Sequence, residues 1–179
     1  MNSTLYLPRK LESNGKVYTE SELLAASRYI VVLSEPGGGK TELLRSLAEQ
    51  LGASYSTANK FAHVDIDVEN CPIIVDAFDE LAKIDDTGIH RLLANAIKTK
   101  PTHVIISSRS SEWHNADTNT FKDFIGHEPL IVRLFSFDES EQRAIFESHA
   151  QGEEFSLFQT EVARFDLETL LPNPEFLKL

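Results

Sequence analysis

Apolar positions follow two alternating textures along the chain. Four short runs, residues 29–34 (YIVVLS), 72–75 (PIIV), 103–107 (HVIIS) and 129–135 (PLIVRLF), are apolar at successive positions and rich in β-branched residues. Such runs read as strands covered on both faces, which suits a parallel sheet. Between them, residues 40–51, 87–99 and 138–151 carry a helical period, and in the first of these Leu44, Leu47, Ala48 and Leu51 fall on one stripe. Strand and helix in alternation predict an α/β fold. Residues 51–70 hold a further element, in which ASYSTA reads as a strand and FAHVDIDV as a strand or a loop.

The last segment, residues 152–179, has helical texture without strands and predicts the start of a small helical cap. Its final PEFLKL is apolar, so the expectation is a truncated piece of a longer polypeptide. The organisation expected is therefore a lead-in over residues 1–28 that packs on the core, a core over 29–151, and the beginning of a helical subdomain over 152–179.

Composition narrows the setting. With 179 residues, 41% of them hydrophobic, the chain can bury one core rather than two. A single cysteine, Cys71, excludes an internal disulfide framework, and the six histidines lack metal-ligand spacing. A reducing, cytoplasmic setting is expected. No run approaches the roughly 18 apolar residues that span a bilayer, so no membrane partner is expected. The net charge is −11, and residues 61–90 hold eight acids against Lys83 alone. Without a Lys/Arg stripe, direct nucleic-acid binding by this segment is not expected, because such affinity comes largely from neutralised phosphates. Most of that acidic segment reads as a solvated face.

The chemistry begins at SEPGGGKT, Ser34 to Thr41, which fits the pattern Gly-x-x-x-x-Gly-Lys-Ser/Thr with Ser34 in place of the first glycine. It follows an apolar strand and opens an amphipathic helix. Glycines let the backbone wrap a phosphate and aim amide N–H groups inward at the positive end of a helix dipole. Pro36, Gly37, Gly38, Gly39, Lys40, Thr41 and Glu42 are the candidate phosphate-binding residues, with Lys40 as point charge. Thr41 offers a hydroxyl to Mg²⁺, a hard ion that takes few protein ligands. A glycine-rich turn before an ordinary helix is the plain alternative.

A carboxylate should stand nearby, and PIIVDAFDEL, residues 72–81, supplies one at a strand end. Asp76 is the second metal candidate, since ligands of α/β folds gather at the C-terminal edge of the sheet. Glu80, aided by Asp79, is the candidate to orient or deprotonate an attacking water. The alternative is that these acids only satisfy a helix N-terminus.

Together the two motifs resemble the NACHT branch of the STAND NTPases. SEPGGGKT is similar to that family's phosphate loop. DAFDE, Asp76 to Glu80, agrees at each position with its acidic motif: an aspartate, a small residue, a hydrophobic residue and two acids. HVIISSRS resembles the family's sensor strand and places Arg109 where the family has an arginine facing the phosphates. LFSFDESEQRAIF resembles the next strand and helix, and LPNPEFLKL the Pro-containing segment that lies against the adenine, with Pro174 as that proline. The departures are Ser34 and a short stretch between phosphate loop and acidic strand. The resemblance implies a P-loop NTPase three-layer sandwich in which the phosphate-loop strand neighbours the sensor strand, and ATP-driven switching within a larger protein.

Read without that resemblance, Arg109 is a strand-end arginine able to fork onto phosphate oxygens or to form a surface ion pair. Pro174 reads as a helix-start proline, and Trp113 as a packing residue. ANKFAH, residues 58–63, lacks the aspartate of a guanine-pairing element, which favours ATP. The functional expectation is a slow, Mg²⁺-dependent ATPase acting as a conformational switch, with the nucleotide and either self-association or further domains as partners. The alternatives are a nucleotide-binding module without hydrolysis that controls oligomerisation, and a ring ATPase using Arg143 or Arg164 in trans.

Overall fold

A computed structural model describes residues 6–64, 69–150 and 152–178. The predicted strands are present. The loop-bearing strand β3 (Tyr29–Leu33) pairs in parallel with both β6 (Val104–Ser108) and β7 (Leu130–Leu134). Beyond β6 lie β5 (Ile73–Asp76) and then β4 (Ser54–Thr57), also parallel. ASYSTA therefore supplies a strand, at the sheet edge. The helical continuation α3 (Ala58–His63) takes up ANKFAH, and the DIDV portion of the ambiguous stretch, residues 65–68, lies outside the described residues.

The other edge was not foreseen. β1 (Leu11–Ser13) and β2 (Lys16–Tyr18) form a hairpin, and β1 joins β7 antiparallel, giving the order β2-β1-β7-β3-β6-β5-β4. Strands of three residues give little periodicity to read. The turn between them uses Asn14 and Gly15, both at positive φ, as a tight hairpin requires. β7 also differs from a strand apolar on both faces. Only its central Val132 is fully buried, and Arg133 is exposed.

Helices cover both faces of the sheet. On one, α1 (Glu20–Ala26) and α2 (Lys40–Leu51) bury Leu23, Leu43, Leu44 and Leu47 against Ile30, Val32, Ile74 and Ile105. On the other, α3, α4 (Phe78–Ala82), α5 (Gly88–Lys98) and α6 (Asn115–Ile125) bury Phe61, Phe78, Leu92, Leu93 and Phe121 against Val31, Val75 and Ile106. Helix α6 escapes a hydrophobicity reading because Phe121 is its one buried residue. Trp113 packs edge-on to Phe78 at 5.3 Å, the packing role expected of it. The architecture is a three-layer α/β sandwich.

After β7, α7 (Glu139–His149) and α8 (Phe155–Arg164) follow, with short 3-10 turns at Glu168–Leu170 and Phe176–Lys178. Phe137, Ile145, Phe146, Phe155 and Leu177 form a separate apolar cluster here, against which Leu7 of the lead-in also packs. The tail thus returns to the C-terminal edge of the sheet, beside the phosphate loop.

Candidate nucleotide site

The sheet order creates the site. From β3 the chain crosses through α2 to the far edge and later returns to β6, so the C-terminal ends of β3, β5 and β6 face one crevice, where open α/β sheets take ligands. A cleft of about 390 Å³ opens there, lined by Pro36, Gly37, Gly38, Gly39, Lys40, Thr41, Glu42, Arg45, Asp76, Ala77, Asp79, Glu80, Arg109 and Glu175. Every residue proposed for phosphate, metal or catalysis borders it, whereas Pro174, expected against the adenine, does not.

The loop's shape follows from its glycines. Gly37 and Gly39 have φ of 74° and 86°. The left-handed Gly39 sets the start of α2 with no side-chain cap, leaving the first-turn amides to face the cleft. Ser34 fits its position because its hydroxyl donates to the Glu35 carbonyl at 2.9 Å and lies beneath Gly38, which has no Cβ to oppose it. Lys40 folds back to donate to the Ser34 carbonyl at 2.9 Å. Burial lowers its pKa, against the pull of Asp79 and Asp76.

Asp76 is bonded on both oxygens. It is 5% exposed. Its Oδ2 accepts from the Thr41 hydroxyl at 2.8 Å and from the Tyr55 hydroxyl at 2.7 Å. Its Oδ1 accepts from the Ser107 hydroxyl at 2.5 Å and from the Ala77 amide at 2.8 Å. Ala77 reaches this bond through a left-handed backbone, φ 59°, which turns the chain from β5 into α4. Burial and the Asp76 carboxylate raise the pKa of Tyr55, so it stays a hydrogen-bond donor throughout the physiological range. Tyr55 and Ser107 escaped sequence reading, since each is an ordinary strand residue until β4 and β6 are laid on either side of β5.

The two acids of α4 diverge. Asp79 is 4% exposed and accepts from Arg109 Nε at 2.8 Å. Glu80 is exposed on the cleft wall. Arg109 lines the cleft and is held there in an ion pair. The pair is with a buried partner, not at the open surface.

Thr41 and Asp76 present only oxygen, one hydroxyl and one carboxylate, beside a phosphate-type loop. This set fits Mg²⁺, which keeps several waters and needs few protein ligands. It does not fit a transition-metal cage, and among the described residues no cluster of three or more His, Cys, Asp or Glu side chains forms one.

Pro174 is buried on the other side of Gly39, with its Cγ 3.6 Å from where a Gly39 side chain would begin. It borders a cavity of about 40 Å³ with Leu7, Arg9, Phe137 and Ile145, too small for a nucleobase unless its walls move. Arg9 was not foreseen either. It is buried, donates to the carbonyls of Gly38 and Phe135 at 2.8 Å each, and stacks on Phe137 at 3.7 Å. Its sequence context, LPRK, carries no signal. Arg143 and Arg164 stand away from the cleft, over Phe155 and Phe165.

No protein-family model matches the chain, and no curated protein matches its sequence. Solved structures do. Domain III of the Thermotoga maritima replication initiation protein DnaA superposes with a TM-score of 0.53 at 17% identity, over 89% of this chain and 78% of that one. AMPPCP-bound DnaA from Aquifex aeolicus gives 0.47 at 15% identity, over 83% of this chain and 50% of that one. PCH-2 from C. elegans gives 0.45 at 14% identity, over 77% and 41%. The mostly parallel seven-stranded sheet, its helical layers and the likeness to DnaA domain III give this chain the fold of a P-loop NTPase domain.

Proposed function

We propose that this domain binds ATP with Mg²⁺ and hydrolyses it slowly, as the conformational switch of a larger STAND protein of the NACHT kind. The observation that carries the reading is the bond from Thr41 to Asp76 at 2.8 Å, directly beneath a glycine loop whose helix-start amides face the same cleft. The bond joins one side chain from the loop to one from the acidic strand at the wall of that cleft, which supports reading it as the place for a nucleotide's terminal phosphates.

The protein's own groups divide the work. Amides of Gly37 to Thr41 hold phosphate oxygens, and Lys40 exchanges the Ser34 carbonyl for phosphate, regaining a full counter-ion. Thr41 and Asp76 hold the cation, which when bound supplies charge neutralisation along the phosphates. Exposed Glu80 takes a proton from, or orients, the attacking water. Arg109 moves from Asp79 to the terminal phosphate, and its return after cleavage is the switch.

The second reading, a nucleotide-binding module without turnover, is favoured by that same ion pair. Asp79 holds Arg109 with a buried carboxylate, so a phosphate must outcompete it. Phosphate release by the parent domain, with Lys40→Ala as blank, tests the two. Release above blank supports the switch. Binding of ATP without release supports the module, and no binding by either protein removes both.

A further inference from the structure

Asp76 accepts from four donors: the hydroxyls of Thr41 and Tyr55 on Oδ2, and the Ser107 hydroxyl and Ala77 amide on Oδ1. An ionised carboxylate has about four in-plane lone-pair sites. All are in use. A hydrated cation at Thr41 also needs a lone pair of Asp76, for itself or for one of its waters, so one donor has to leave.

The four differ in what leaving costs. Ala77 is fixed by the backbone turn, and its N–H is shared with Ser107 Oγ at 3.0 Å. Ser107 is fully buried, with no water to turn to. Thr41 can keep its O–H on Asp76 while its own lone pair faces the cation, because a hydroxyl donates and accepts at once. Tyr55 is different. It stands on edge strand β4, paired with Ile74 of β5, two positions before Asp76, and reaches it diagonally along the shared face. It is only partly buried, and its hydroxyl can exchange Asp76 for solvent. It also bonds the same oxygen as Thr41, the oxygen on the cation's side.

Resting on the Mg²⁺-nucleotide reading above, we infer that Tyr55 is a positioning residue whose hydroxyl occupies the Asp76 Oδ2 lone pair in place of the hydrated cation and is displaced by it. Without the cation, Tyr55 keeps a buried carboxylate satisfied and aimed. With it, the cation pays for turning Tyr55 out. Tyr55 therefore sets how much Mg²⁺ the site needs, not how tightly the loop holds phosphate.

The test is a titration of Mg²⁺ against the affinity for a fluorescent ATP analogue, in the parent and in Tyr55→Phe, with a parallel measurement in EDTA. Tyr55→Phe should lower the Mg²⁺ concentration for half-maximal effect about threefold to tenfold, the worth of one net hydrogen bond. Affinity in EDTA should not change. Tyr55→Leu, which also lacks the hydroxyl but packs differently, should shift the Mg²⁺ requirement the same way, with circular dichroism reporting that each variant is folded. An unchanged or higher Mg²⁺ requirement, or an equal loss with and without Mg²⁺, overturns the inference while leaving nucleotide binding intact. Failure of the parent to bind the analogue above the Lys40→Ala blank overturns the nucleotide reading, and the inference with it.

Discussion

Arg109 and Asp79 meet at 2.8 Å, Nε to Oδ2, with the Asp79 side chain 5% exposed and that of Arg109 36% exposed. One partner is buried and the other wet. Removing the wet partner strands a carboxylate away from water, which costs more than the pair itself contributes. Arg109→Ala should therefore destabilise the domain by about 2 kcal/mol, less than the 3–5 kcal/mol of a fully buried pair because solvent screens the guanidinium. Asp79→Asn, which removes the stranded charge, should cost less. Urea unfolding of both compares them directly; equal losses would show that the asymmetry is unimportant.

Glu80 tests the division of labour on α4. It is exposed and no side-chain partner is seen for it among the described residues. Glu80→Gln should change stability by less than about 0.5 kcal/mol, as surface substitutions do. On the proposed function it preserves ATP binding and abolishes phosphate release, and release at the parent rate would remove Glu80 from the chemistry.

Ala77 holds φ 59° as the residue between β5 and α4. A left-handed L-residue is strained by about 1–2 kcal/mol, and glycine in its place loses about 0.5–1 kcal/mol through a freer unfolded chain. Ala77→Gly should then be neutral or stabilising by up to about 1.5 kcal/mol, whereas Ala77→Val, β-branched at positive φ, should destabilise clearly. Thermal unfolding of the pair gives the sign of each.

Glu20 fixes the lead-in to the phosphate-loop helix. Buried at the start of α1, it accepts from the Tyr6 hydroxyl at 2.5 Å and the Arg9 amide at 2.8 Å, and from Ser46 at 2.8 Å and Gln50 at 2.6 Å on α2. Glu20→Ala leaves the buried Arg9 amide and the partly buried Tyr6 and Ser46 hydroxyls unmet and should cost about 2–3 kcal/mol. Proteolysis should then cut first near residues 6–9; a variant as resistant as the parent would show that Arg9 and Leu7 hold the segment without it.

Acid should weaken the helix starts. The Glu22 carboxylate is held below its ordinary pKa chiefly by the Thr19 backbone bond, Asp85 by Thr87, and Asp138 by Ser140 and the Glu141 amide. Each binds its proton less readily folded than unfolded. Their contribution is therefore full above the ordinary carboxylate range, near pH 4, and is lost as pH falls through the lower folded values. Stability measured by denaturant should fall as pH drops below about 4, and Asp138→Asn should flatten that fall.

What the sequence determined is local and repeated. Runs such as IVVL and PIIV are apolar throughout because both faces are covered, so they announce parallel strands before any partner is known. SEPGGGKT is legible because backbone geometry, with positive φ at Gly37 and Gly39, demands glycine there. DAFDE is legible because a buried strand rarely ends in charge without a use for it. Tertiary structure decided the rest. A three-residue hairpin strand has too few positions for a period, and α6 has one buried residue, so neither leaves a pattern. Asp79 and Glu80 are adjacent acids in sequence, and only the packing of α4 against β6 buries one beside Arg109 and exposes the other. Tyr55, Ser107 and Arg9 take their roles from bonds spanning 21 to 126 positions. No local preference encodes such partners, because it is the order of strands in the sheet that brings them together.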